Sequence, residues 1–265
     1  MPARRRGPIR LKAPYLRRVW LDPARMPADR DYPFSLPWLG DLDIAFDRAI
    51  TVIVGENGTG KSTLLEAIAT LAGYDRAGGG KGYRPADHSL ALAADGGDLA
   101  SALRASWLPR ITDGWFFRAE SFYTVARYLD DAAREPFSGP PPDYLSHSHG
   151  EGFLRFFTER CRRQGLFIFD EPESALSPAR QVDFLRLLRR MEDSGVVQVV
   201  IATHAPILMA YPGAALLGLT ADGLAPIALE DTAHYRLTRE FILDPEAFVA
   251  ERLDGHADPE DLAKP

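Results

Sequence analysis

Continuous apolar runs alternate along the chain with segments in which apolar residues recur every three or four positions. The continuous runs predict strands that are buried on both faces, and the three- to four-residue spacing predicts amphipathic helices. Predicted strands cover residues 42–46, 49–54, 114–118, 166–169, 196–202, 214–219 and 224–229. Predicted helices include one that ends near residue 72 and others at residues 100–107, 150–163, 178–191 and 232–253. This alternation predicts an α/β fold with a mostly parallel sheet flanked by helices.

A glycine-rich loop joins the strand 49–54 to the helix that follows it. The loop fills the pattern Gly-x-x-x-x-Gly-Lys-[Ser/Thr], the P-loop or Walker A motif, in its required strand–loop–helix context. Glycines let the backbone curl so that its N–H groups point at a phosphate, and the helix N-terminus adds partial positive charge. Lys61 would reach the β- and γ-phosphates, and Ser62 would ligate Mg²⁺. The predicted nucleotide-binding residues are Gly55, Glu56, Asn57, Gly58, Thr59, Gly60, Lys61, Ser62 and Thr63.

A second motif lies further along the chain, where the apolar strand 166–169 ends in Asp170 and Glu171. Parallel sheets of this kind bind ligands at the carboxyl ends of their strands, which would bring both acids next to the P-loop. Asp170 would then hold Mg²⁺ through its hydration shell, and Glu171 would act as the general base that orients the attacking water. A strand followed by an acidic turn is the alternative, and the presence of the P-loop favours the catalytic interpretation.

The amino-acid composition limits the size class and the cellular location that we expect for this fold. The 265 residues, 46% hydrophobic and 26% charged, suit one large α/β domain or two small ones. Cys161 is the single cysteine and cannot form a disulfide within the chain, and no window approaches roughly eighteen uninterrupted apolar residues. We therefore expect a cytoplasmic protein with no transmembrane segment of its own.

The charge is unevenly distributed, because the net charge is −6 while residues 1–18 are locally basic. A basic arm can contact nucleic acid or anionic lipid, and it can equally be a solvated terminal segment. The acidity of the whole chain gives no independent reason to expect a large nucleic-acid surface. Whether nucleic acid is a partner stays open at this point.

Two shorter patterns flank the acidic strand. Ser148-His149-Gly150-Glu151 precedes an amphipathic segment and, as a local structure, fits a capping box in which Ser148 starts the helix. The apolar strand 196–202 leads to Thr203 and His204. A single histidine after a strand is commonly structural. Its position one helix–strand unit after Glu171 favours a place in the site.

These motifs, in this order, resemble ABC-type ATPases, and in particular the stand-alone bacterial ATPases of the AAA_21-like group, over about residues 35–240. The resemblance implies that Ser148 and Gly150 contact the γ-phosphate of a nucleotide bound to the opposite subunit. It also implies that His204 hydrogen-bonds the γ-phosphate, and that residues 174–176 form a contact between subunits. ATP and Mg²⁺ are the implied ligands.

The resemblance also implies a single ABC-type domain over residues 1–265, built as a P-loop NTPase with an antiparallel N-terminal β portion. Within it we expect a basic N-terminal segment at about residues 1–30 and a loop-rich helical insert at 73–150. The second half of the nucleotide-binding core would cover 150–230, and a C-terminal helix and tail would cover 232–265.

The chain departs from the ABC-type pattern in one respect. That family carries a Mg²⁺-ligating glutamine between the P-loop and the signature loop, and this chain has no glutamine between Lys61 and Ser148. Glu120 is our candidate replacement, since a carboxylate can also ligate Mg²⁺. An aromatic residue that stacks on the base is expected before the P-loop strand, and Tyr32 and Phe34 are the candidates.

The first functional hypothesis is an ATPase that works as a head-to-tail homodimer with two ATP molecules between its subunits. Glu171, His204 and Lys61 would be its catalytic residues. A second hypothesis is a nucleotide-gated adaptor with little turnover that serves a nuclease, DNA or toxin–antitoxin partner. A third is the ATPase subunit of a transporter with a separate permease, and a ring-forming AAA+ motor is a further alternative.

Overall fold

A computed structural model describes residues 10–76, 78–81, 96–111, 113–118, 149–161 and 163–254. Its strands are β1 (Leu16–Leu21), β2 (Asp43–Ala45), β3 (Ile50–Val54), β4 (Leu103–Trp107), β5 (Gly114–Arg118), β6 (Gly165–Asp170), β7 (Val197–Ala202), β8 (Ala215–Thr220) and β9 (Gly223–Pro226). Its α-helices are α1 (Lys61–Ala72), α2 (Gly96–Ala102), α3 (His149–Arg160), α4 (Pro178–Ser194), α5 (Pro206–Met209), α6 (Ala233–Leu243) and α7 (Pro245–Asp254).

The larger sheet has the strand order β5-β6-β7-β3-β8-β9, and its pairs are parallel except for the hairpin of β8 with β9. Every residue of β3, β6 and β7 is buried. Strands covered by helices on both faces need no polar face, which explains why their sequences are continuous apolar runs rather than alternating ones. The predicted α/β fold with a mostly parallel sheet is confirmed.

A smaller antiparallel sheet has the order β2-β1-β4 and forms the expected antiparallel portion. The prediction of a helix at 100–107 was wrong in its second half, because α2 ends at Ala102 and residues 103–107 form β4. Burial decreases along β4 from Leu103, which is buried, to residues that are half-buried or exposed. Pairing with β1 gives this short segment a backbone partner that local helical spacing could not reveal.

The region 73–150 is therefore not purely a helical insert. Within its described residues it contributes β4 to the small sheet and β5 to the edge of the large one. The Gly114–Arg118 strand was predicted from its apolar run, and its parallel pairing with β6 places its carboxyl end beside Asp170. The remainder of this insert lies largely outside the described residues.

Aromatic side chains fill the space between the large sheet and helices α3 and α4. Phe117 packs edge-to-face against Phe153 and Phe157, with ring centroids 4.7 and 4.6 Å apart. Phe169 lies 4.8 Å from Phe157 and 5.1 Å from Phe184 in the same cluster. Burial of each such side chain contributes about 1.5–3 kcal/mol, so this layer holds the acidic strand β6 rigidly. The opposite face of the sheet packs against α1.

The C-terminal region contains two helices rather than the single one predicted for 232–253. Helix α6 ends at Leu243, and Asp244 has a non-helical backbone before Pro245 begins α7. The reason is local, because a proline lacks the N–H of a helical bond and disfavours helical geometry in the residue before it. In the part of the chain that the structure describes, no helix has the length and apolar character needed to cross a membrane.

Candidate nucleotide-binding site

The register of three neighbouring parallel strands brings the predicted motifs to one edge of the large sheet. Ala202 at the end of β7 pairs with Asp170 of β6 on one side and with Ile53 of β3 on the other. The P-loop that follows β3, the acids at the end of β6 and the His204 loop after β7 therefore leave the sheet at the same level. This is the edge where open α/β sheets bind their ligands.

Two glycines of the P-loop occupy positions that reject a side chain. Gly60 lies in the left-handed region at φ 88°, and a Cβ there would come within 3.0 Å of Leu36 and 3.2 Å of Trp38. A Cβ on Gly55 would lie 2.6 Å from the carbonyl oxygen of Leu219. The loop consequently has to be built from glycine at both points.

Lys61 closes the loop on itself. Its Nζ donates hydrogen bonds to the carbonyl oxygens of Gly55 and Glu56, each at 2.9 Å. Burial lowers the pKa of Lys61, and the carboxylates of Glu171 and Asp170 act in the opposite direction. The Lys61 ammonium and the N–H groups of a curled backbone are donors that can form hydrogen bonds to phosphate oxygens.

Aromatic residues from the segment before β2 form hydrogen bonds to the P-loop and to the first turn of α1. The indole Nε1 of Trp38, a side chain only 2% exposed, donates to the carbonyl oxygen of Thr59 at 2.7 Å. The Tyr32 hydroxyl is hydrogen-bonded to Thr63 in the first turn of α1, while Phe34 packs against the core. Of the two candidates for base stacking, Tyr32 is half-exposed at the site, whereas Phe34 is partly buried against the core.

Asp170 and Ser62 face each other across the sheet edge. The Ser62 hydroxyl donates to Oδ1 of Asp170 at 3.1 Å, and the Nε of Arg118 lies 3.7 Å from Oδ2. Arg118 also binds Glu66 of α1 at 2.5 Å. Burial raises the pKa of Asp170 to about 7, against the effect of the Arg118 charge. The charge of Arg118 therefore does not fully offset the burial of the Asp170 carboxylate, and a further cation at this point would stabilise its ionised form.

This donor set fits Mg²⁺. A hydroxyl and a buried carboxylate are the hard oxygen ligands that Mg²⁺ prefers, and Mg²⁺ typically takes one or two carboxylates and completes its shell with water and phosphate. Among the described ranges, no group of three or more His, Cys, Asp and Glu side chains is arranged to hold a metal ion.

Glu171 begins a short 3-10 turn, Pro172–Ala175, in an unusual backbone conformation. It is the one non-glycine residue with positive φ (48°) in the part of the chain that the structure describes, and its N–H bonds the carbonyl of Ala202 at 2.9 Å. Such conformations cost of order 1–3 kcal/mol and persist where the surroundings enforce them, often at functional sites. The result is a carboxylate whose Oε1 lies 3.5 Å from Nε2 of His204.

Glu173 fixes the loop that carries His204. One carboxylate oxygen accepts the backbone N–H of His204 at 2.6 Å, and burial raises the pKa of Glu173. Two side-chain atoms here, Oε2 of Glu173 and Nε2 of His204, are buried with no hydrogen-bond partner among the described residues. Buried polar atoms are normally paired, so these two indicate space for water or a ligand.

The sequence prediction missed several residues of this site. His234 of α6 reaches His204, with 2.8 Å between its Nε2 and Nδ1 of His204. Trp38, Arg118 and Glu173 were likewise not assigned roles. Arg118 and His234 lie in two stretches, residues 117–122 and 229–235, that also resemble the AAA_21-like group, and Glu173 lies two residues after Glu171 in the predicted acidic turn.

The predicted residues from Gly55 to Thr63 lie together with Asp170, Glu171 and His204 at this edge. Gly150 lies in the first turn of α3, and Ser148 and Glu120 lie outside the described residues. Their expected contacts with nucleotide and Mg²⁺ remain predictions.

Comparison with known proteins gives two family matches. Residues 34–101 match a model described as "AAA domain", and residues 137–210 match one described as "AAA domain, putative AbiEii toxin, Type IV TA system". The first match contains the P-loop, and the second contains the acidic strand and the His204 loop.

Curated relatives and solved structures are similar at low identity. The chain is 26% identical over 188 residues to the molybdenum import ATP-binding protein ModC of Mesorhizobium japonicum, covering 63% of this chain and 49% of the relative. It is 29% identical over 199 residues to the ModC of Thiobacillus denitrificans, covering 65% and 51%. The chain thus spans about half the length of the curated relatives it matches. The SMC head domain from Thermotoga maritima is similar with a TM-score of 0.46 at 15% identity, covering 81% of this chain and 99% of that one.

Proposed function

We propose that the chain, which matches two AAA-domain models, is a P-loop NTPase of the ABC-ATPase type that binds and hydrolyses ATP with Mg²⁺ as a head-to-tail homodimer. Two chains would hold two ATP molecules between them, and hydrolysis would release the subunits. The observation that carries this proposal is that Lys61, Ser62, Asp170, Glu171 and His204 lie together at one sheet edge, at or just after the carboxyl ends of the neighbouring strands β3, β6 and β7.

Each of these side chains has a distinct chemical task in the proposed reaction. Lys61, already desolvated by its loop, would exchange part of its contact with its own carbonyls for the β- and γ-phosphate oxygens. Ser62 and Asp170 would hold Mg²⁺, which when bound supplies positive charge to the phosphate oxygens. Glu171 would accept a proton from the attacking water, and His204 would donate a hydrogen bond to the γ-phosphate.

The dimer follows from the resemblance of the Ser148 loop to the signature loop of ABC-type ATPases. Ser148 and the backbone near Gly150 at the start of α3 would act on the γ-phosphate of the other subunit, as a helix N-terminus acts on an anion. A site divided between two chains makes turnover depend on assembly. Residues 174–176, next to the catalytic turn, would lie at the same contact.

The test combines a Glu171→Gln variant with size-exclusion chromatography and light scattering. Loss of the general base should slow phosphate release by roughly 10²–10⁴-fold. With Mg²⁺ and ATP the variant should accumulate as a dimer, because the bound triphosphate is no longer consumed. Glu246→Gln, an exposed change on α7, is the matched control and should behave as the wild type. A Glu171→Gln protein that stays monomeric with ATP at every concentration refutes the homodimer.

A second candidate is the nucleotide-gated adaptor, which the description of the match over residues 137–210 favours. That description names a toxin of a toxin–antitoxin system, and the Ser148 loop departs from the family pattern at His149. An adaptor would bind ATP and change its assembly with little turnover. Steady-state phosphate release, measured with and without DNA, separates the two: turnover on the scale of seconds to minutes supports the ATPase, and its absence in both conditions supports the adaptor.

The ModC relatives are import proteins, and co-purification with a permease from membranes would support a transport role instead.

A further inference from the structure

Two histidines from distant parts of the chain are hydrogen-bonded at the candidate site. His204 follows β7, and His234 is the second residue of α6. The distance between Nδ1 of His204 and Nε2 of His234 is 2.8 Å, and the two ring centroids are 4.9 Å apart. At this separation one of the two nitrogens must carry a proton and the other must accept it.

Which nitrogen carries the proton decides what His204 offers at its other end. If Nδ1 of His204 donates, a neutral His204 presents a bare lone pair at Nε2. If His234 donates instead, neutral His204 must carry its own proton at Nε2 and presents a hydrogen-bond donor there. The hydrogen bond between the rings therefore controls the tautomer of His204.

The surroundings of Nε2 distinguish the two arrangements. Nε2 is buried, has no hydrogen-bond partner among the described residues, and lies 3.5 Å from a carboxylate oxygen of Glu171. A lone pair facing this carboxylate and an incoming phosphate would be repelled by both, whereas an N–H would be attracted to both. The pKa of His204 is lowered, mainly by burial and then by the charge of Lys61, so a second proton does not supply the donor near neutral pH.

We propose that His234 is a positioning residue that donates its Nε2–H to Nδ1 of His204, so that neutral His204 presents an N–H at Nε2 to the γ-phosphate of ATP. This inference rests on the proposed function, since it assigns the group that recognises the terminal phosphate. His234 touches no reacting atom and acts only through His204. The arrangement resembles the way a second group fixes the tautomer of a metal-binding or catalytic imidazole.

The start of α6 holds His234 in place for this task. The Thr232 side chain, only 2% exposed, accepts the backbone N–H of Tyr235 at 3.3 Å and donates to the carbonyl of Leu229 at 2.7 Å. This cap fixes the first turn of the helix and hence the direction of the His234 side chain. The Thr232 side chain bonds the backbone of Leu229 and Tyr235 and neither imidazole, so it offers a control for helix stability alone.

The first test measures the tautomer directly in the wild-type protein without nucleotide. Long-range ¹H–¹⁵N correlation spectra of the imidazole nitrogens, assigned with a His204→Asn variant, show which nitrogen is protonated. We expect His204 to be protonated at Nε2 and unprotonated at Nδ1. A proton on Nδ1 of His204 overturns the inference, and this readout requires neither nucleotide binding nor turnover.

The second test compares the affinity of a non-hydrolysable ATP analogue with that of ADP by calorimetry. His234→Leu keeps bulk but removes the donor, so the analogue should bind roughly 10- to 100-fold more weakly, as expected for a lost hydrogen bond to a charged group. ADP lacks the γ-phosphate, and its affinity should change less than about twofold. His234→Gln places an amide N–H where Nε2 lies and should restore binding of the analogue to within a few-fold of wild type.

The control variant Thr232→Ala should lower the thermal midpoint but leave the ratio of analogue to ADP affinity unchanged. If Thr232→Ala changes this ratio as His234→Leu does, or if His234→Leu weakens ADP equally, the role of His234 is structural and the inference is wrong. Wild-type protein that binds neither nucleotide refutes the proposed function and the phosphate contact together. Wild-type protein that binds both, with the proton on Nδ1 of His204, refutes the role of His234 alone.

Discussion

Asp170 should make the nucleotide-free protein less stable, and replacing it by asparagine should reveal by how much. The side chain is 5% exposed, and burial raises its pKa from 3.8 to about 7. A group whose folded pKa lies above its unfolded value favours the folded state below the unfolded pKa, and this contribution is lost as pH rises through the folded pKa. Stability should therefore fall between about pH 4 and pH 7.

The size of the effect follows from the distance between the two pKa values. Roughly three pH units at about 1.4 kcal/mol each give about 4 kcal/mol of destabilisation by the ionised carboxylate above pH 7. Asp170→Asn removes the charge and retains an oxygen that can accept the Ser62 hydroxyl. With a chelator present and without nucleotide, the variant should be more stable than the wild type at pH 8. Its advantage should shrink by about 2–3 kcal/mol at pH 5.

Urea unfolding at the two pH values measures this difference, with equal m-values as the condition for comparing midpoints. Asp222→Asn, a change in an exposed turn, should leave the pH dependence as it is in the wild type. Addition of Mg²⁺ and ATP should reverse the order, because ligand binding stabilises only the protein that binds. The reasoning would be refuted if the Asp170→Asn protein were less stable than the wild type at pH 8. It would also be refuted if the difference in unfolding free energy between the two proteins were the same at both pH values.

Three further substitutions test the packing around the site. Trp38→Phe leaves the Thr59 carbonyl without its indole donor and should lower the free energy of unfolding by about 1–3 kcal/mol, measured as a lower thermal midpoint. Calorimetry should also show weaker binding of ATP by the loosened loop. Gly60→Ala forces a Cβ into a left-handed position close to Leu36 and should lower the free energy of unfolding by at least about 1–2 kcal/mol. Calorimetry should show that the variant no longer binds nucleotide, and retained wild-type affinity would contradict this prediction. Phe117→Ala should lower the free energy of unfolding in urea by about 3–5 kcal/mol, whereas the exposed Phe241→Ala should change it by less than about 1 kcal/mol.

The sequence predicts those parts of the site whose residues are close together along the chain. The P-loop requires glycine where the backbone is left-handed or crowded, and the strand before Asp170 must be apolar because both of its faces are covered. Such constraints produce recognisable patterns in short stretches of sequence. The parallel fold follows from the same runs, because a strand with no polar face needs helices on both sides.

Contacts between segments that are distant along the chain produce no such pattern in the sequence. His234 reaches His204 only because α6 returns to the sheet edge, and Trp38 supports Thr59 because the segment before β2 passes beneath the loop. Residues 103–107 form a strand rather than a helix because β1 offers a neighbour, a tertiary effect that outweighs local spacing. Asp244 and Pro245 are the opposite case, since the break between α6 and α7 has a local cause that the apolar periodicity of 232–253 obscured.

The central position of β3 also bears on how the protein is synthesised. Its two neighbours in the sheet are β7 and β8, which leave the ribosome only after residue 197. The nascent chain therefore exposes the glycine-rich loop long before the strands that anchor it exist, and pairings so remote along the chain form slowly. An emerging polypeptide that stops short of β7 carries the complete phosphate-binding motif without the framework that shapes it.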